Sequence, residues 1–282
     1  MNFIPRFLKE DQNLIFELSR RNIKQQYRGS FLGFVWTVLH PLLQMLIMWF
    51  VFAQIFGRDV YYPIYLLCGN IIFASLRRST TMSLTSIELN RNLLLRTKVN
   101  PYAFSCSICI GSMIDFFFSL IALIPFMIWL SVNPDISPLT NLFTYRLVFI
   151  LLMLPALWLF EYGVSLFLSV MYIFFKDLKH LYSVILVLWQ YLTPIFYTVD
   201  RFDLNSPALF VIKLNPMYHF VTYFRECVYL GVIGQDPQTF EIIGSYNPAW
   251  MTLLYLYLFG IASTAIGVLI YKLLKKKVIV RL

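Results

Sequence analysis

The chain has 282 residues, 59% of them hydrophobic and 13% charged, with a mean hydropathy of +0.70 and a formal charge of +9. Such a composition excludes an ordinary soluble domain, where about a quarter of residues are charged, and points to an integral membrane protein. The basic excess raises nucleic acid as a partner, a question that the placement of the basic residues decides.

The first thirty residues carry Arg6, Lys9, Glu10, Asp11, Glu17, Arg20, Arg21, Lys24 and Arg28 without an apolar run, which argues against a cleaved secretory signal. Residues 2–26 are predicted to form a helix. Pro5 suits its first turn, Phe3, Phe7, Leu14, Ile15 and Leu18 are apolar, and Phe16 and Ile23 fall off the stripe. The pattern fits an interface helix on the membrane surface; a soluble cytoplasmic helix is the alternative.

Residues 31–56 form the first predicted span, about 39 Å as a helix, with a kink expected at His40-Pro41. The second begins near Pro63, and Arg77 and Arg78 arrive about 22 Å along it. Residues 86–101 are a charged segment with Arg91, Arg96 and Lys98, and Pro101 suits the start of the next helix. The third span, 102–132, contains Gly111, Asp115 and Pro125, so a bend is expected, and 133–141 reads as a short outside loop.

The fourth span, 142–174, carries Pro155 and Glu161, and the fifth, 182–198, carries Pro194. Between them Phe175, Lys176, Asp177, Leu178, Lys179 and His180 interrupt two long apolar runs. An aromatic anchor followed by charges is the pattern of a coupling helix, the alternative being an ordinary solvated loop. Residues 199–248 are mixed and too short for two further spans, so they read as re-entrant, extracytoplasmic half-helices. The sixth span, 249–271, ends in a basic tail, 272–282, with Lys272, Lys275, Lys276, Lys277 and Arg281.

The expected fold is therefore an all-α integral membrane protein with six transmembrane helices in one domain, both termini cytoplasmic. That topology leaves only Arg58, Arg146, Arg201, Lys213 and Arg225 of the 23 basic residues outside, as the positive-inside rule requires. Basic residues thus mark cytoplasmic loops, and the nucleic-acid reading falls away.

Catalytic signatures are missing. His40, His180 and His219 lie in different regions, and the sequence contains neither H-E-x-x-H nor G-x-S-x-G. Cys68, Cys106, Cys109 and Cys227 have no zinc spacing, and the C-x-x-C of Cys106 and Cys109 reads as packing within an apolar helix. No G-x-x-x-x-G-K-[ST] loop is present, so no cofactor is expected on this chain, and ATP with its Mg belongs on a separate subunit.

Arg77 and Arg78 are the candidate substrate residues. Arginine within a span normally faces a protein interior or wet cavity, and its guanidinium suits bidentate phosphate binding. Snorkelling to headgroups or pairing with Glu88 is the competing reading. Trp36, Trp49, Phe50, Trp189, Tyr191, Phe196 and Tyr197 are candidates to line a glycan conduit by stacking, against a reading as core or interface-belt aromatics. Asp115 and Glu161 fit structural pairing inside the bundle or a proton relay.

Four motifs occur in order along the chain: Gln26-Tyr27-Arg28-Gly29-Ser30-Phe31-Leu32-Gly33 followed by Trp36 and Pro41; Phe175-Lys176-Asp177-Leu178; Tyr191-Leu192-Thr193-Pro194-Ile195-Phe196-Tyr197; and Leu214-Asn215-Pro216 followed by Arg225. With them the chain resembles the membrane subunit of ABC-2 type polysaccharide exporters, which move O-antigen, capsule or teichoic acid chains on lipid carriers across the bacterial cytoplasmic membrane. The resemblance implies a homodimer with two copies of a separate ATPase and a conduit for a lipid-linked glycan at the dimer interface. It also implies that the N-terminal helix, Arg91 and Arg96, and Phe175 to Lys179 rest on the ATPase. Lys176 stands where arginine is common in the family, and Glu161 where a small or apolar residue is usual. An ABC-2 exporter of drugs or small lipids and a membrane-embedded glycosyltransferase are the alternatives.

Overall fold

A computed structural model of the protein describes residues 6–27, 35–51, 61–96, 99–132, 143–199, 206–233 and 245–281, and no strand occurs among them. Three helical stretches, Tyr102–Ile128, Tyr145–Phe174 and Trp250–Val278, are long and apolar enough to cross a bilayer. The chain is thus a helical, multi-pass membrane protein.

The tightest packing in the bundle joins α8 (Val148–Phe174) to α13 (Trp250–Arg281). Small residues allow it: a Cβ on Gly163 would lie 2.2 Å from the Ser263 carbonyl carbon, and one on Gly260 2.7 Å from Ala156 O. Ser263 and Thr264 hydroxyls donate to Phe160 O and Leu159 O at 3.0 and 2.7 Å, and Tyr257 donates to Leu152 O at 2.9 Å. Partner positions rise together along both helices, so α8 and α13 run parallel. The basic segment predicted as a tail after residue 271 continues α13 as helix to Arg281.

Around this pair stand α3 (Tyr62–Leu84) and α6 (Tyr102–Ile121), which contact each other and α8. The bend expected in the third span falls at residues 122–123, between α6 and α7 (Ile124–Val132), with Pro125 in the first turn of α7. α1 (Arg6–Tyr27) lays Leu18 and Ser19 against α6. The Ser19 hydroxyl donates to Ser107 O and Asn22 Nδ2 to Ser107 Oγ, both at 3.3 Å, while Phe16 stays exposed. α2 (Val35–Trp49) continues through Pro41 and packs on α3 and α6. The motif residues 28–33 lie outside the described residues.

Two expectations change. The fifth span is shorter and earlier than 182–198: α9 runs Leu178–Leu192, because Pro194 disfavours helical backbone at Thr193, which is extended. At 15 residues, α9 covers only about 22 Å. The central charged segment forms no coupling helix of its own. Residues 175–177 turn directly from α8 into α9, whereas the segment after α3 does form two short helices, α4 (Ser86–Leu89) and α5 (Arg91–Arg96).

In 199–248, where half-helices are expected, the described residues form α10 (Pro207–Leu214), α11 (Pro216–Arg225), a π turn at Glu226–Leu230 and α12 (Gly231–Ile233). They do more than dip into the bundle. Phe220, Val221, Tyr223, Phe224 and Cys227 are among its most buried side chains, with α11 packed on α3, α13 and α8.

Candidate functional site

Two motifs that lie about twenty residues apart in sequence meet in one hydrogen-bonded joint. Asn215 Oδ1 caps α11 at Met217 N (3.0 Å) and accepts from Trp189 Nε1 (2.8 Å), while its Nδ2 donates to Thr193 Oγ1 (2.9 Å). Arg225, 2% exposed, donates through Nη1 to Pro194 O at 2.8 Å and through Nε and Nη2 to Tyr65 O at 3.2 and 3.0 Å, with its guanidinium 3.3 Å from the Tyr65 ring centroid. Tyr62 and Tyr65 hydroxyls donate to Phe196 O and Tyr197 O, each at 2.6 Å. The turn after α9 is therefore held to the start of α3 and the end of α11. Sequence reasoning counted Arg225 as an outside cation and as part of the fourth motif, without a structural role; a lone arginine inside an aromatic helix was the available signal.

Next to this joint lies a cavity of 460 Å³ among α2, α3, α6 and α9. His40 and Gln44 line it from α2; Asn70, Phe73, Arg77, Arg78 and Thr81 from α3; Ser119 from α6 and Gln190 from α9. Arg77 donates to Gln190 Oε1 and lies 5.4 Å from the Phe73 ring centroid, and Arg78 Nε meets Asp115 Oδ2 at 2.6 Å. Pairing of the arginines with Glu88 is overturned, since Glu88 faces Lys176 instead. The cavity thus gathers two guanidiniums, one of them paired with Asp115, among side-chain amides and hydroxyls.

The predicted aromatic residues are dispersed. Trp36 and Phe50 on the α2 side and Tyr191 on α9 are exposed. Trp189 packs edge-on against Phe160, Phe196 tilts against Tyr191, and the Tyr197 hydroxyl donates to Tyr191 O. Among the described residues none of these aromatics lines the cavity, where Phe73 does. The Trp49 side chain lies outside the described residues. Glu161 is fully buried, accepts from the Ser112 hydroxyl at 3.0 Å, and is faced by Ser75 and Ser79.

The predicted coupling residues gather at the opposite, basic end of the bundle. Lys176 Nζ binds Glu88 Oε1 at 2.5 Å and lies 4.7 Å from the Tyr172 ring centroid. This pairing holds the Glu88 carboxyl below its ordinary range, the hydrogen bond from Lys176 being the main cause. Arg21 of α1 donates to Asn90 Oδ1 at 2.9 Å, and Lys275 of α13 to Asn100 Oδ1 at 3.1 Å. Phe175, Asp177 and Lys179 are exposed, Leu178 is half-buried, and Arg91 and Arg96 are exposed on α5. The packing reading of Cys106 and Cys109 agrees with their burial, partial for Cys106 and full for Cys109, and Cys68 and Cys227 are buried as well.

The sequence profile of ABC-2 type transporters matches residues 13–229. The chain belongs to the ABC-2 type transporter family. Among its relatives this ABC-2 chain is 26% identical over 227 residues to the O-antigen export system permease protein RfbA of Myxococcus xanthus, covering 80% of this chain and 84% of the relative. It is 24% identical over 264 residues to the RfbA of Klebsiella pneumoniae, covering 93% and 92%. With the polysialic acid transport protein KpsM of Escherichia coli it shares 22% over 257 residues, covering 89% and 90%. An ABC-2 membership makes the chain a transport protein, so the glycosyltransferase reading is set aside.

Proposed function

We propose that this chain is the membrane subunit of an ATP-driven exporter that moves a lipid-linked polysaccharide across the bacterial cytoplasmic membrane. In this reading two copies assemble with two copies of a separate ATPase, which binds ATP and Mg. Each copy crosses six times with both termini inside. The parallel run of α8 and α13 supports that topology, because α9 must return the chain to the starting side between them.

The observation that carries the reading is the arginine-bearing cavity, in a chain whose Klebsiella and Escherichia relatives are named as O-antigen and polysialic acid transporters and align over about nine-tenths of its length. The cavity that Arg77 and Arg78 line receives the carrier phosphate, and Trp36, Trp49, Phe50, Trp189, Tyr191, Phe196 and Tyr197 contribute to the conduit. Phe175, Lys176, Asp177, Leu178 and Lys179, with Arg91 and Arg96, meet the ATPase. The junction of α1, α4, α5, the α8–α9 turn and α13 supports that role, since one rigid basic face can take a push from below and pass it to four helices.

The test is removal of the chain from its host, followed by analysis of glycan on each membrane face and purification of the native complex. Lipid-linked glycan accumulating inside, and a copurifying ATPase, are the expected results; unchanged surface glycan overturns the reading. A second reading, export of a small lipid, draws on the aliphatic outward face of α9, where Leu181, Val184, Val187 and Leu188 are exposed. It predicts unchanged glycan and a changed lipid distribution after the same removal.

A further inference from the structure

Arg77 and Arg78 are adjacent in sequence but differ in what answers their charge. Arg78 is matched by the Asp115 carboxylate at 2.6 Å. Arg77 reaches neutral groups, the Gln190 side-chain carbonyl and the Phe73 ring. The titratable groups at the cavity, among the described residues, are His40, Arg77, Arg78 and, behind Arg78, Asp115. Arg77 is therefore the cation there with no carboxylate beside it. A guanidinium on a membrane-crossing helix is costly unless water or an anion answers it, and the Gln190 carbonyl is a weaker partner than an oxyanion.

The same contact bears on α9. That helix buries only Tyr182 and Leu186 among its described side chains, so packing holds it lightly. Its far end is tied to α11 through Trp189 and Asn215, and Gln190 ties it to α3 through Arg77.

We propose that Arg77 is the anion receptor of the cavity for a single phosphate ester, and that the arriving phosphate takes Arg77 from Gln190 and unlatches α9 from α3. Arg78, already committed to Asp115, is a structural ion pair and not a second phosphate ligand. Gln44, Asn70, Thr81 and Ser119 offer amides and hydroxyls to the hydroxyl-bearing moiety carried on the phosphate. This assignment rests on the exporter reading for the ligand's biological source, but its chemistry is measurable by itself.

The test is calorimetric titration of the full chain, in phosphatidylcholine nanodiscs, with farnesyl monophosphate, farnesol and glucuronic acid. The wild-type chain is expected to prefer the phosphate over both others by about tenfold or more, the worth of a charge-assisted pair. Arg77→Gln removes the preference and Arg77→Lys, which keeps the charge without the fork, keeps part of it. The double variant Arg78→Gln with Asp115→Asn retains the preference within about threefold, a separable site. Gln190→Leu tightens phosphate binding, because it removes the competitor. Preference surviving Arg77→Gln in well-folded protein, or a preference for glucuronic acid, overturns the receptor assignment; weaker binding in Gln190→Leu overturns the latch. Absence of any preference in the wild type, with glycan export still dependent on the chain, defeats this inference and leaves the exporter reading standing. Loss of that dependence with the preference intact does the reverse.

Discussion

Lys176 and Glu88 form an ion pair, 2.5 Å from Nζ to Oε1, that joins the turn after α8 to the short helices after α3. Both side chains are about half exposed, 54% and 42%, so the pair adds at most about 1 kcal/mol to stability. Its value is in register. With Arg21 on Asn90 and Lys275 on Asn100, it makes one surface of segments from four parts of the chain.

Reversing one charge of this pair is expected to disturb coupling more than folding. Lys176→Glu should lower ATPase stimulation in the assembled complex several-fold while shifting stability by about 1 kcal/mol or less. Adding Glu88→Lys should restore much of the stimulation. Stimulation untouched by the single reversal would remove the pair from the coupling surface.

The pair also has a pH signature. The folded-state pKa of Glu88 is depressed by Lys176, so its contribution is full above the ordinary carboxylate range and is lost as pH falls through the depressed value. The stability difference between wild type and Glu88→Gln, followed by thermal unfolding, should be flat from neutral down to mildly acidic pH and shrink only in stronger acid. A difference that instead grew with acidification would contradict the pairing.

At the α8–α13 contact, Gly267→Ala places a Cβ 2.5 Å from Gly163 O, and Gly163→Ala places one 2.2 Å from the Ser263 backbone. Each should destabilise the protein by about 1–3 kcal/mol through forced separation of the helices. Gly111→Ala meets nothing within 4 Å and should be neutral or stabilising by up to about 1 kcal/mol through helix propensity. Thermal unfolding of the three variants in one detergent separates these outcomes.

Arg225→Met should be among the most damaging single changes. It leaves the carbonyls of Tyr65 and Pro194 without this donor in the core, costing about 3 kcal/mol or more. Arg225→Lys should rescue little, since one ammonium cannot span the carbonyls that the fork reaches. Size-exclusion profiles of both variants provide the measurement, and a monodisperse Arg225→Met protein would refute the clamp.

Much of the architecture is legible from residue order because its causes are local. Apolar runs interrupted by charges and prolines mark α3, α6, α8 and α13, and Pro125 marks the break between α6 and α7. The length of α9 was also within reach, given the restriction Pro194 imposes on Thr193, but the apolar run through Tyr197 hid it.

Tertiary structure decided the rest, since composition and periodicity do not say which of several equivalent partners a side chain meets. Arg78 chose Asp115 and left Glu88 to Lys176 because α3 and α6 face each other where those side chains emerge. Residues 199–248 read as re-entrant half-helices, and α11 enters the core with Phe220, Val221, Tyr223 and Phe224 buried, where Arg225 donates to the carbonyls of Tyr65 in α3 and Pro194 in the turn after α9. The sequence by itself determined a helical, multi-pass membrane protein with its basic residues concentrated in a few short segments. The packing of α3 against α6 and α9 determined that Arg78 meets Asp115 while Arg77 meets Gln190 at the edge of a cavity.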